Sequence, residues 1–367
     1  MNFVLNRDDL LKPLQSMLSV ANSKSTMPLL SCILFDIKNN VLTVTASDLD
    51  TEISCEIPVS CNSGVRIALN ADKIYNIVRS LTENAMLDFK VDGNKITLVS
   101  NNSTFNLISL NPDNFPLIDS NINEESSFDM SQQDFHNIIS KVDFSMANDD
   151  TRYFLNGMFW DINANLLRAV STDGHRMSIT ESIIDSKVID STSQAIIPKK
   201  SVLELKKIVG RSEDIIRIQL GKNYLKAEFG NYAFISKLID GRYPDYQKVV
   251  PKNNTKLLTI DKRVLKNSLL RTSILANDKY KGIRLHVSPG QMLLSANNPD
   301  NEKAEDRVEV SYNDDSMEIC FNYKYLLDII NVIDEDTIDI YLDNPNMSAL
   351  VKDEKDNSLF IIMPMKI

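Results

Sequence analysis

The chain has 367 residues, of which 43% are hydrophobic and 25% charged, and carries a formal net charge of −10; at roughly 100–200 residues per domain that length predicts two to four domains, each able to bury a core. Its four cysteines show no CxxC spacing, which argues against a disulfide framework; Cys32, Cys55 and Cys320 lie in apolar, strand-like contexts where a small buried thiol is expected. Arg7, Asp8 and Asp9 come before any long apolar stretch, so neither a signal peptide nor a membrane span is expected, and the expected location is cytoplasmic.

The first predicted element is a helix capped by Asn6, with Asp9 three residues on to complement the positive helix end. Leu10, Leu11, Leu14 and Leu18 form its apolar stripe, and Pro13 inside it predicts a distortion. ILFDIKNNVLTVTA follows as two β-rich runs around Asn turn residues, which reads as a hairpin. NADKIYNIVRSL from Asn70 is a second helix, with Ile74, Ile77 and Val78 on one face, and MLDFKV and KITLVS are a pair of alternating strands. Between Asn111 and Ser126 the periodicity fails and Pro, Asn and Asp gather, which marks a first linker.

The same order then returns twice. Ser131 with Asp134 opens a helix striped by Phe135, Ile138, Ile139 and Val142; MFWDINANLLRAV is a hairpin; PKKSVLELKKIV from Pro198 is a helix; IIRIQL and YLKAEF are strands. A second linker runs from Gly241 to Lys256. Asp261 caps the next helix, and IRLHVSPGQMLLSA, NYKYLLDIINVI from Asn322, TIDIYL and SALVK complete a third copy. In the first two copies the register is identical, for Asn6 stands as far before Asp48 as Ser131 stands before Asp173. A repeat of this kind fixes the architecture: an α+β chain of three domains, 1–122, 123–250 and 251–367, each with two helices packed on an antiparallel sheet. Neither linker resembles a flexible Gly/Ser tether.

Net charge is a sum, and phosphate binding needs only a local basic surface. Lys12, Lys73, Arg79, Lys199, Lys200, Lys206, Lys207, Arg263, Lys266, Arg271 and Lys324 lie in the six predicted helices or at their ends, while DFKVDGN, DEDTIDIYLDN and DEKDN put acid around strands and turns. For any single lysine a solvated helix face is explanation enough; recurrence in corresponding helices of three copies favours a shared basic surface. Sheets with helices on one face can join edge to edge, so three units would form an arc and two arcs a ring. Twelve helices at ~10 Å each need a circumference of about 120 Å, a diameter near 38 Å through their axes and an opening of about 28 Å, wide enough for duplex DNA.

Catalysis is the rival class. Ser171, Asp173 and His175 have the letters of a triad but fall within five consecutive positions, where strand and turn geometry disfavours a relay. Asp48 with Asp50, or Asp149 with Asp150, could be imagined as ligands of a metal-dependent nuclease but are commoner as turn residues. No GxxxxGK[ST] loop is present. A repeat scaffold that binds peptides without DNA is the other alternative.

Four ordered segments carry a resemblance that spans the chain: RYFLNGMFW at Arg152 to Trp160, STDGHRMS at Ser171 to Ser178, GRYPDYQKVVP at Gly241 to Pro251 and the terminal MPMKI. Together with the threefold repeat, they resemble the bacterial DNA polymerase III β subunit family, the sliding clamps. The resemblance implies a DNA clamp fold with its helices lining the inside of a dimeric ring, which encircles duplex DNA without reading sequence and needs no cofactor, metal or catalytic residue. It implies docking of the DNA polymerase III catalytic subunit, the clamp loader and other clamp-binding-motif proteins in a pocket formed by Leu155, Thr172, Gly174, His175, Arg176, Met177, Pro244, Lys248, Val249, Ser348, Ile361, Ile362, Met363, Pro364 and Met365. Methionines and aliphatics there would make an adaptable apolar trough, with His175 and Arg176 as polar anchors at its edge. The expected DNA contacts are Lys24, Lys73, Arg79, Lys199, Lys200, Lys206 and Lys207. By the same resemblance Phe105 and Leu107 of one copy would meet Ile274 and Leu275 of the other at the homodimer contact. The chain departs from the family where Lys248 and Lys366 stand in place of a common Arg, which keeps charge but loses the planar fork.

Overall fold

The computed structural model describes residues 1–21, 26–61, 63–119, 124–186 and 193–366, with backbone alone for 124, 125 and 186. Among them are the six expected α-helices: α1 (Arg7–Met17), α2 (Ala71–Ser80), α3 (Gln132–Val142), α4 (Lys199–Ile208), α5 (Lys262–Thr272) and α6 (Tyr323–Val332). They alternate between 11 and 10 residues, as a threefold repeat requires. Their starts are set locally. Asn6 accepts from the Asp8 N–H at 2.8 Å, Ser131 from Asp134 at 3.0 Å, and Asp261 from Arg263 and Val264 at 2.8 and 2.9 Å; Asn70 and Asn322 cap α2 and α6 in the same way.

Helix α1 is continuous through Pro13, and its buried face is Leu10, Pro13, Leu14 and Met17. Leu11 and Leu18, expected in the stripe, are only half-buried, because the face is shared with the proline and with Met17. The α3 stripe of Phe135, Ile138, Ile139 and Val142 is buried as expected. Among the described residues no helix is long and apolar enough to cross a membrane.

The chain divides into two compact units. One comprises Met1–Phe135, Asp185–Ile189 and Leu203–Leu238; the other His136–Ile184, Asp190–Val202 and Ile239–Ile367. The first holds a five-stranded sheet and a nine-stranded one. In the latter, Tyr232–Lys237 of the second copy pairs antiparallel with Thr51–Pro58 of the first, with Tyr232 opposite Cys55 and Phe234 opposite Ile53. The second unit holds an eight-stranded and a four-stranded sheet. Here Arg176–Ile183 of the second copy pairs with Ser358–Ile362 of the third, with Met177 opposite Ile361 and Thr180 opposite Ser358. Each unit thus contains one edge-to-edge junction of neighbouring copies.

The hairpins form where turn residues permit. Asn39 and Asn40 sit at φ 52° and 62° between Cys32–Lys38 and Val41–Ser47, the left-handed pair that a two-residue turn needs. Cys32, Cys55 and Cys320 are buried, and burial pushes the Cys55 thiol up to about 12. Both expected linkers contain packed structure. Phe115 is buried against Cys32, Leu34 and Ala68, the Ile118 N–H donates to Glu52 at 2.8 Å, and Glu124–Ser131 is already strand. In the second segment, Tyr243 and Tyr246 belong to a core cluster of the second unit. Aromatic burial accounts for the difference: a tyrosine removes enough apolar area from water to anchor an irregular segment.

Candidate functional site

That core cluster brings together three of the residues expected to line the trough, Leu155, Met177 and Ile361. Leu155, in the short 3-10 turn Tyr153–Leu155, packs with Met177, Ile361, Phe159, Val170, Tyr243 and Tyr246. Phe159 and Tyr243 stack with ring centroids 4.6 Å apart and planes 5° from parallel. The Tyr246 hydroxyl donates to Asp161 at 3.0 Å and accepts from Arg168 at 3.1 Å, so the aromatic floor is held by polar contacts as well as stacking. Burial pushes the Tyr243 phenol far up, which keeps it neutral. Neither tyrosine was in the expected site set, although GRYPDYQKVVP carries them three residues apart around a proline.

Exposed side chains follow along the same segments. Val249 is 49% and Met363 46% exposed, and Pro244, His175 and Lys248 are exposed too. Met363 continues the strand pairing by donating its N–H to the His175 carbonyl at 2.9 Å, and the Met365 N–H donates to Cys320 at 2.8 Å. Lys248 is paired with Asp245 at 2.9 Å, which holds that carboxyl below its usual range. Thr172 is buried, while Ser348, Pro364 and Met365 are half-buried.

Strand alternation separates two residues from this group. Ile361 faces the tyrosine cluster, whereas Phe360 and Ile362 face the core of the third copy, because successive strand residues point to opposite faces. Arg176 stands opposite Ile362. Its guanidinium is 12% exposed and spends its donors on Asp173 at 3.0 Å, Asp328 at 2.6 Å and the Phe144 carbonyl. It also lies 4.3 Å from the Tyr325 ring centroid. Arg176 is therefore a strut between this strand and α6, with its charge already matched.

The turn between Leu166–Thr172 and Arg176–Ile183 is built by side chains. Thr172 Oγ1 accepts from the Gly174 N–H at 3.0 Å and donates to the Arg176 carbonyl at 2.6 Å; Asp173 accepts from the N–H groups of His175 and Arg176 at 2.9 and 3.0 Å. Gly174 sits at φ +88°, and a Cβ there would lie 2.9 Å from Arg152 Nη2. Arg152 is itself fixed by Asp150, whose carboxyl that guanidinium holds down at about 2. Gly174→Ala should therefore cost about 1–2 kcal/mol of stability and weaken peptide binding, as measured by thermal unfolding alongside a peptide titration.

These contacts also dispose of the triad reading. The buried Ser171 hydroxyl donates to the Val142 carbonyl, and Asp173 is committed to the turn and to Arg176. Asp48 accepts from the N–H groups of Asp50 and Thr51, as a turn residue does. No group of three or more metal-ligating side chains occurs among the described residues.

Of the expected DNA contacts, Lys73 and Arg79 are exposed on α2, Lys200 and Lys207 are exposed on α4, and Lys206 is half-buried. Lys207 pairs with Glu204 at 3.0 Å. Lys199 is engaged elsewhere: its ammonium donates to the Met146 and Ala147 carbonyls at 3.1 and 3.3 Å, and burial pulls its pKa down. Lys24 lies outside the described residues. Phe105 and Leu107 are half-buried on Ser103–Ile108, an edge strand of the five-stranded sheet. Ile274 is 78% exposed and Leu275 half-buried just past α5, beside the edge strand Lys303–Glu309.

Three copies of a two-helix, antiparallel-sheet unit, with neighbouring copies joined edge to edge, define the protein as one of the DNA clamps. Family models of the DNA polymerase III beta subunit match its N-terminal domain at residues 1–119, its central domain at 129–245 and its C-terminal domain at 247–366. The beta sliding clamps of Pseudomonas putida and Pseudomonas aeruginosa are 36% and 35% identical to the chain, each covering 100% of both sequences. A crystal structure of the DNA polymerase sliding clamp from Pseudomonas aeruginosa with ligand superposes with a TM-score of 0.96 at 35% identity, covering 100% of both chains. The chain belongs to the DNA polymerase III beta subunit family, whose members are processivity factors and not enzymes.

Proposed function

We propose that two copies of this chain close head to tail into a ring around duplex DNA, with domains 1–122, 123–250 and 251–367, and dock polymerase III and other replication proteins through the trough. The observation that carries this reading is the repeated edge-to-edge junction. Two junctions of one design occur within the chain, and Ser103–Ile108 and Lys303–Glu309 remain as edge strands. A third junction of that design between copies would pair those edges and cover Phe105, Leu107, Ile274 and Leu275.

Lys73, Arg79, Lys200, Lys206 and Lys207 supply charge for contact with the phosphate backbone, which is independent of sequence and weakened by salt. Topology then holds what electrostatics only cushions. After loading, the protein should stay on circular duplex DNA through a high-salt wash and leave a linear duplex of the same length by sliding off its ends. Equal retention on both would favour a peptide-binding scaffold and sink the ring. Docking on the polymerase III catalytic subunit and the clamp loader is supported by the floor of Leu155, Met177 and Ile361 and by the exposed Met363 and Val249, surfaces suited to short apolar motifs. A cytoplasmic location follows from work on replicating DNA.

A further inference from the structure

The strand that carries Ile361 toward the trough begins at Ser358, and the turn before it is tied to α3 by a buried cation. Lys141 is 5% exposed. Its ammonium donates to the Val332 carbonyl at 2.6 Å and pairs with Asp353 at 2.7 Å and Asp356 at 2.5 Å. Asp353 is 1% exposed, so the contact lies in a low-dielectric site where each charge depends on the other. The same turn is bound to the neighbouring strand: Ser358 Oγ donates to Thr180 Oγ1 at 2.8 Å, and those residues are cross-strand partners. At the opposite end of this ladder, Arg176 is fixed by Asp173, Asp328 and Tyr325. A cation therefore holds each end of the junction between the second and third copies, fully buried at the Lys141 end and half-buried at the Arg176 end.

The corresponding place in the first copy has different chemistry. Ser16 stands as far after the Asn6 cap as Lys141 stands after Ser131. Ser16 shares with Tyr232 the lining of a cavity of about 600 Å³, and Tyr232 stands opposite Cys55 in the ladder. The ion pair nearest that junction, Lys237 with Asp50, is largely exposed. Strand pairing and side-chain hydrogen bonds, such as Asn231 Nδ2 to the Glu56 carbonyl at 2.8 Å, join the two copies there, and no buried lysine takes part among the described residues. A buried ion cluster seldom adds net stability over apolar groups of the same shape, and its best-attested use is to specify register.

We propose that Lys141 is a positioning residue for the trough: by clamping Asp353 and Asp356 it fixes the turn from which the C-terminal strand starts, and so the register in which Ile361 and Met363 are presented to a partner peptide. The consequence for binding rests on the trough reading; the clamp on the strand does not. One strand residue of slip would exchange Ile361 for Ile362 on the trough face.

The test uses the full-length protein and three variants. Lys141→Met leaves Asp353 buried without its partner and should lower stability. The combined Lys141→Met, Asp353→Asn, Asp356→Asn variant removes all charge and should recover most of that stability. Even so, its amides at 358–363 should exchange with deuterium at least about tenfold faster, while those at 51–58 keep the parent rate. Its affinity for a fluorescent peptide copied from the clamp-binding segment of the polymerase III catalytic subunit should fall on the order of tenfold. Adding Thr180→Cys and Ser358→Cys to Lys141→Met supplies a covalent substitute, so affinity should return when that pair is oxidised and fall on reduction. Parental exchange and affinity in the neutral variant, or no recovery in the oxidised one, would overturn the proposal. Met363→Ala is the control: if it binds the peptide as well as the parent does, the trough reading fails, and the exchange rates still decide the role of Lys141.

Discussion

Deleting residues 363–367 should lower affinity for a clamp-binding peptide by roughly 30-fold to 1,000-fold, the effect of losing about 2–4 kcal/mol at the centre of a small interface. The range follows from what leaves. Met363 is the exposed apolar side chain nearest the end of the strand, and Met365 follows on the anchored tail. The fold should survive, because Phe360, Ile361 and Ile362, at 1% exposure or less in the intact chain, are retained, and among the described residues the tail contributes two backbone hydrogen bonds beyond them. Fluorescence anisotropy reads the affinity, and thermal unfolding should shift by only a few degrees, as expected for about 1 kcal/mol in a chain of this size. Unchanged affinity would remove the tail from the docking site.

The sequence makes the repeat legible because each copy carries the same local instructions: a cap, a stripe, a turn. Asn6, Ser131 and Asp261 cap three first helices, and the strand pairs after α2, α4 and α6 form as read. The candidate site is legible as a set of segments but not as a set of side-chain directions. A resemblance transfers every residue of MPMKI and its preceding strand alike, yet alternation sends Ile361 and Ile362 to opposite faces. That much could have been read from period-2 geometry. The fate of Arg176 and Lys199 could not. Whether a cation meets a ligand depends on carboxylates and carbonyls far along the chain, such as Asp328 for Arg176 and the Met146 carbonyl for Lys199. Lys141 shows the same limit from the other side, since its partners lie 212 and 215 positions away, at Asp353 and Asp356.

If the proposed head-to-tail dimer forms through Ile274, Ile274→Asp should convert it to a monomer at concentrations where the parent remains paired. The parent side chain is 78% exposed, and burying an isoleucine in a partner surface contributes roughly 1.5–3 kcal/mol. An aspartate in the same place forfeits that and adds the cost of desolvating a carboxylate. A head-to-tail dimer closed into a ring contains two equivalent contacts, so one substitution counts twice. A loss of about 3 kcal/mol at each contact becomes about 6 kcal/mol for the ring, a weakening of more than four orders of magnitude in the dissociation constant. Sedimentation or single-particle mass measurement at nanomolar protein reads the result directly. The monomer should stay folded, because Ile274 packs into neither core cluster of its unit. It should still bind a clamp-binding peptide, because the proposed trough residues lie on other segments of that unit, while losing retention on circular DNA. A variant that docks peptides but no longer stays on a circle would separate the two activities that the repeat combines. A variant that remains dimeric would place the contact between copies elsewhere than at Ile274.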